Sequence, residues 1–153
     1  MALADLIVVM NAGRIEDCGP PDRVYARPAT RFAATFMGES TIIEGHVTQR
    51  DDESVLVDTR LGAISIRGQA EPNETVAISI RPERLRLEGA DGLTAIGSAK
   101  VTAVVFQGGF VRVVGALGDG TAVLIKALPE AAPRVGDTIH PAAAPADLIL
   151  LRS

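Results

Sequence analysis

With 153 residues, 47% hydrophobic and 22% charged, the chain has apolar material for one ordinary core and too little charge for extensive disorder. A net charge of −4 with no basic block argues against nucleic acid as a partner, because phosphate binding needs a positive stripe. The aromatic set, Tyr25, Phe32, Phe36, Phe106 and Phe110, is also too small for a single-strand stacking surface.

In chain order, the β-branched run Ile7-Val8-Val9-Met10, then Asn11-Ala12-Gly13 and Arg14 to Gly19, predicts a strand, a tight turn and a second strand. Cys18 reads as an ordinary small residue in a turn; a single cysteine allows no internal disulfide and fits a reducing compartment. Pro20-Pro21-Asp22 opens a short helix to about Ala26, stopped by Pro28. Thr30 caps a second helix with Phe32, Phe36 and Met37 on its apolar side, ending at Gly38. A hairpin and two short helices have too little interior to stand alone, so they are expected to pack on something larger. The apolar stretch Leu6 to Met10 is too short to span a bilayer of about 30 Å and lacks the basic flank of a signal peptide. A cytoplasmic location is expected.

From about Ser40 the pattern turns to β. Ile42–Val47, Ser54–Thr59, Ala63–Arg67 and Thr75–Ile80 read as strands, and so do Ala99–Phe106, Phe110–Ala116, Thr121–Ala127 and Thr138–Pro141. Strands so short and closely spaced predict a small barrel or sandwich. There is an internal repeat: Thr75, Pro82, Leu85 and Leu87 recur without a gap at Thr138, Pro145, Leu148 and Leu150, a constant offset of 63 residues. The copies, about 42–88 and 97–151, correspond only loosely in their earlier parts. Neither has a full core, so they are expected to close one domain jointly.

Read in order, several motifs resemble the C-terminal portion of ABC-importer ATP-binding subunits of the maltose and polyamine type. They are Ala4-Asp5-Leu6-Ile7-Val8-Val9-Met10-Asn11-Ala12-Gly13-Arg14-Ile15-Glu16, Tyr25-Ala26-Arg27-Pro28-Ala29-Thr30-Arg31-Phe32, Phe36-Met37-Gly38-Glu39-Ser40, Ile80-Arg81-Pro82-Glu83-Arg84-Leu85 and Val135-Gly136-Asp137-Thr138. The resemblance implies a mainly β fold: an OB-fold-like small barrel of two related β repeats, preceded by a hairpin and two short helices from the end of the ATPase domain. Residues 1–38 would be the remnant of the nucleotide-binding domain, and 39–153 a transport-associated OB-type (TOBE) regulatory domain. Gly38-Glu39-Ser40 with Ile43-Glu44-Gly45 is closer to the polyamine and iron types than to the sugar type.

The departures from the family bear on activity. Gly115-Ala116-Leu117-Gly118-Asp119-Gly120 has the glycines of a phosphate loop but no following lysine, so a triphosphate has no cradle. The signature motif, metal-binding carboxylate and switch histidine of the family would all lie before Met1, which is expected to be an artificial start or that of a truncated gene. ATP and magnesium therefore belong to the full-length parent, and this chain is expected to need no cofactor and to hydrolyse no ATP. His46 and His140 lack neighbours at metal-ligand spacing, which argues against a metal site.

The candidate interface or ligand residues are Glu39, Ser40, Glu44, Arg81 and Glu83. Arg81 and Glu83 end an alternating apolar run, which places their charges at a barrel rim, either facing a subunit or solute or, preferably, making a local corner in which Arg81 pairs with a carboxylate. The second repeat has Ala144 where the first has Arg81. Glu39, Glu44 and Glu83 are of the type that attracts a polyamine, though solvated surface is the preferred reading. Phe106 and Phe110 are expected to form a cross-strand core pair at a hairpin. The favoured function is a regulatory and dimerisation module, partnered by a second ATP-binding subunit and by permease subunits, peripheral to the inner membrane. The alternative is a sensor for the transported solute or an oxyanion, bound between the repeats.

Overall fold

The computed structural model describes residues 4–152. It opens with the expected hairpin, β1 (Ile7–Asn11) and β2 (Arg14–Gly19), turned through Ala12 and Gly13, both at positive φ as a tight two-residue turn requires. Cys18 lies in β2, exposed, not in a turn. Two single-turn helices follow, α1 (Pro21–Ala26) and α2 (Arg31–Phe36), and the Thr30 hydroxyl caps α2 by accepting from the Ala33 amide at 3.1 Å. Phe32 and Met37 pack as expected, against Val9, Val24 and Ala33, and Ala33 and Ala34 are buried; Phe36 departs from the expectation, being 67% exposed and stacked on Phe32.

The β region consists of two sheets around one core. The first repeat contributes β3 (Thr41–Arg50), β4 (Ser54–Thr59), β5 (Gly62–Arg67) and β6 (Thr75–Ile80). The second contributes β7 (Thr94–Ala95), β8 (Ala99–Phe106), β9 (Val111–Leu117), β10 (Ala122–Ala127), β11 (Thr138–Ile139), β12 (Ala142–Ala143) and β13 (Ile149–Arg152). Sheet orders are β13-β6-β3-β4-β5 and β10-β9-β8-β11, with β7 and β12 pairing separately. Side chains of both repeats, among them Ile43, Ile78, Ile80, Ile96, Val113 and Ile125, fill one interior. Threonine 41 joins the sheets, its buried hydroxyl accepting from the Leu124 amide at 3.1 Å.

The repeat extends to hydrogen bonding. Each copy carries a bulge at a threonine, Thr48 or Thr102, whose hydroxyl donates across the hairpin to Leu56 or Val114 at 3.2 Å. Each copy turns through a 3-10 helix at its proline, Pro82–Arg84 or Pro145–Asp147. The segment after that turn crosses to the other repeat: Ile149 pairs with Ser79, and at the same 63-residue offset Arg86 bridges to Ala142. Exchanging their last strands makes the two repeats interdependent.

The expected strand at Thr138–Pro141 is broken into β11 and β12. Pro141, which stands where the first repeat has Ile78, has no N–H for the ladder. Phe106 is 69% exposed and pairs in register with Val111, so it forms no core pair with Phe110, whose ring lies 4.8 Å beneath the Lys126 ammonium.

Candidate functional site

β6 is buried on both faces. One face lines the barrel core; the other, with Ala77, packs with Leu151 of β13 against Ala34 of α2. Where β6 ends, the chain enters the Pro82–Arg84 turn, and Arg81, the last residue before it, points toward the N-terminal helices.

Arg81 is 5% exposed. Its Nε and one terminal nitrogen donate to the Tyr25 carbonyl at 3.1 and 2.9 Å. The other terminal nitrogen donates to the carbonyls of Ala34 (2.8 Å), Gly38 (3.1 Å) and Glu39 (3.2 Å) and to the Ser40 hydroxyl (2.9 Å). Tyr25 and Ala34 lie in the last turns of α1 and α2, where carbonyls have no intrahelical donor and the helix dipole is negative. A single cation therefore caps both helices. It also stacks on the Tyr25 ring, 4.3 Å from the centroid, and the Tyr25 hydroxyl donates to Glu83 at 2.7 Å. Burial draws the Arg81 pKa down, partly offset by Tyr25 and Glu83; burial and the bond to Glu83 push the Tyr25 phenol up.

Four of the five sequence candidates meet here: Arg81 at the centre, Ser40 through its hydroxyl, Glu39 through its carbonyl and Glu83 through Tyr25. Arg81 spends its donors on main-chain carbonyls and a hydroxyl, not on a carboxylate, and it faces inward, not out from a rim. The Glu39 side chain turns away to Arg112 of β9, which holds its carboxyl below the usual range. Glu44 stands apart on β3, paired with Arg31 of α2. The three glutamates thus do not converge on one pocket. A shallow groove of about 540 Å³ does hold Glu44, with His46, Asp58, Arg60 and Asp119. Among the described residues no cluster of His, Cys, Asp and Glu has metal-binding geometry.

A second polar anchor, missed by the sequence reading, ties β2 to α1. The buried Asp17 carboxylate accepts from Arg23 (2.6 and 3.1 Å) and from the amides of Cys18 (2.8 Å) and Ala29 (2.7 Å). The only sequence signal was an acid and an arginine six residues apart. The anchoring role of Tyr25 gave no signal, because it acts through its carbonyl and ring face together.

Residues 78–151 match the family model described as a TOBE domain. The spermidine/putrescine import ATP-binding protein PotA of Rubrobacter xylanophilus is 36% identical over 114 residues, 71% of this chain and 29% of that protein. Its counterpart in Trichormus variabilis is 36% identical over 92 residues, 57% of this chain and 24% of that protein. The sn-glycerol-3-phosphate import ATP-binding protein UgpC 3 of Agrobacterium fabrum is 33% identical over 153 residues, 98% of this chain and 42% of that protein. The chain thus spans from a quarter to about two fifths of the length of these relatives. In fold it is similar to the cytoplasmic molybdate-binding protein ModG, with a TM-score of 0.65 at 13% identity over 73% of this chain and 95% of that one, which agrees with an OB-like β architecture. No helix among the described residues is long and apolar enough to cross a membrane. The chain belongs with the TOBE-bearing C-terminal region of ABC-importer ATP-binding subunits.

Proposed function

We propose that this chain is the non-catalytic regulatory and pairing module of an importer's ATP-binding subunit, with a polyamine-type solute as the cargo of the parent transporter. Residues 1–38 then belong to the end of the nucleotide-binding domain and 39–153 to the regulatory domain. ATP and magnesium act in the parent, which pairs with a second copy and with permease subunits on the cytoplasmic side of the inner membrane.

The observation that carries this reading is the Arg81 junction. A regulatory domain influences an ATPase domain only if the two move as one body, and Arg81 joins the end of β6 to both helices of the N-terminal segment. The outward side chains of that segment, Leu6 (58% exposed), Met10 (57%) and Ile15 (64%), form the kind of apolar surface that a larger domain covers. A partner or ligand that favours one arrangement of paired regulatory domains then shifts the open and closed ATPase states by its difference in affinity. The similarity to spermidine/putrescine import ATP-binding proteins supports the choice of cargo.

The test is sedimentation velocity of the chain over a wide concentration range, with an ATP-turnover assay alongside. Concentration-dependent dimers and no turnover are expected. A strict monomer at the highest concentrations sinks the pairing role, and ATP turnover sinks the non-catalytic one. An interface below about 1,200 Å² gives only weak self-association, so millimolar protein belongs in the series.

A further inference from the structure

A cleft of about 240 Å³ lies between the end of α1 and the two 3-10 turns, Pro82–Arg84 and Pro145–Asp147, with β6 and β13 as its floor. Ser79 of β6 sits at the bottom. Alternate residues of that strand, Val76, Ile78 and Ile80, face the barrel core, which leaves Ala77, Ser79 and Arg81 on the opposite face. Ala77 is covered by Ala34, and Arg81 is held by the helix ends. The Ser79 hydroxyl makes no hydrogen bond among the described residues, although the residue is only 2% exposed. Its oxygen is not sealed in; it opens to the cleft. A hydroxyl withdrawn from water and left unmatched costs stability, so its place between Ile78 and Ile80 calls for a partner in the cleft.

The rim carries charges of both signs. Arg27, at the end of α1, is exposed and donates no side-chain hydrogen bond among the described residues. Glu83 gives one carboxylate oxygen to the Tyr25 hydroxyl and keeps the other open. Arg84 and Asp147 face each other from the two turns at 3.9 Å, too far for a hydrogen bond and loose enough to be opened. With Arg81 committed to carbonyls, two available arginines stand against two carboxylates. A simple anion meets Glu83 and Asp147, and a simple cation meets Arg27 and Arg84, so each is opposed by like charges. Between the charged groups, Ala26, Pro28, Ala146 and Ile149 supply apolar wall. The volume falls just under the usual ~300–1,000 Å³ of small-molecule sites, which suits a ligand of amino-acid size and not a nucleotide.

We propose that this cleft binds a small zwitterion, an α-amino acid with an apolar side chain. Its carboxylate is taken by the Arg27 guanidinium and the Ser79 hydroxyl, its ammonium by the open Glu83 oxygen and Asp147, and its side chain lies along Pro28 and Ile149. The site does not depend on the pairing role. Because α1 and the turns of both repeats line it, an occupant bridges the N-terminal segment and the two halves of the barrel.

The test is an NMR titration of the intact chain with L-leucine and, separately, with isopentylamine and 4-methylpentanoate, which keep the side chain but each lack one charge. Saturable shifts centred on Tyr25, Ser79 and Glu83 are expected with leucine, and each analogue should bind at least about tenfold more weakly, because it leaves one set of charged groups unmatched. Ser79→Ala and Arg27→Ala should each weaken leucine about tenfold without lowering the melting temperature, since each removes a group that bonds nothing in the free protein. Arg134→Ala, which removes an exposed cation outside the cleft, should leave affinity within about twofold. Shifts that fail to saturate, or an analogue that binds as well as leucine, overturn the proposal. So does a Ser79→Ala variant that melts lower yet binds leucine unchanged, which would make the hydroxyl purely structural.

Discussion

Replacing Arg81 by methionine keeps much of the apolar stem and removes every N–H that the junction uses. The carbonyls of Tyr25, Ala34, Gly38 and Glu39 and the Ser40 hydroxyl then lose a charged donor. Hydrogen bonds to a charged group contribute about 1.5–3 kcal/mol each, but they share one cation, and its burial costs part of that gain. A net loss of about 3 kcal/mol results, comparable to one or two such bonds. For a domain of this size that lowers the melting temperature by about 6–12 °C. Circular dichroism melting gives the total, and hydrogen exchange locates it. Because every Arg81 partner lies between Tyr25 and Ser40, protection should fall first in α1 and α2 and least in β8 and β9. Arg81→Lys should recover only part of the loss, since an ammonium cannot span carbonyls that a planar fork reaches together. A drop below about 2 °C with unchanged protection of α1 and α2 would show that Arg81 does not join the two parts.

Asp17 sets an acid limit. Burial pulls its pKa up, but Arg23 and the amides of Ala29 and Cys18 together pull it further down, so it ends below the ordinary value. Its contribution is therefore fully present above about pH 4 and lost as pH falls through the depressed folded value. Asp17→Asn should cost about 2 kcal/mol at pH 7 and progressively less toward pH 2.5, as measured by urea unfolding; an equal cost at both ends refutes the assignment. Gly45→Ala puts a Cβ 2.5 Å from the Asp58 carbonyl oxygen and 2.6 Å from a Val57 methyl, so it should destabilise by about 1–3 kcal/mol, and a neutral result would show that β3 and β4 can separate there. Ala144→Arg, which places an arginine in the second repeat where the first has Arg81, is expected to change stability by no more than about 0.5 kcal/mol in thermal melts, since Ala144 is only half-buried; a large gain would reveal a second cage.

The hairpin, both helices and most strands were legible because their signals are local: Ala12-Gly13 for the turn, Thr30 for a cap, and β-branched alternation along β4 and β6. Pairings between distant segments were not. The repeat shows in sequence only from Thr75 onward because its offset is constant there, whereas the bulge threonines Thr48 and Thr102 are 54 residues apart and the paired Leu56 and Val114 are 58 apart. Loops of different length hide a register that hydrogen bonding makes plain. β13 was missed because Ile149–Arg152 is four residues long and acquires its partner, β6, from the other repeat. Arg81 was found as a candidate by its proline-bounded position, but its partners are carbonyls, which no residue type in the sequence announces.

The asymmetry between the repeats bears on how the molecule works. Strand exchange means that α2 rests on a surface made by both copies, with Ala77 from the first and Leu151 from the second under Ala34. Arg81, present only in the first copy, fixes that helix to one side of the seam. A small displacement of one repeat against the other therefore changes what lies beneath α2 while its tether to β6 stays in place. Packed interfaces of this kind adopt discrete arrangements because close-packed side chains resist gradual deformation.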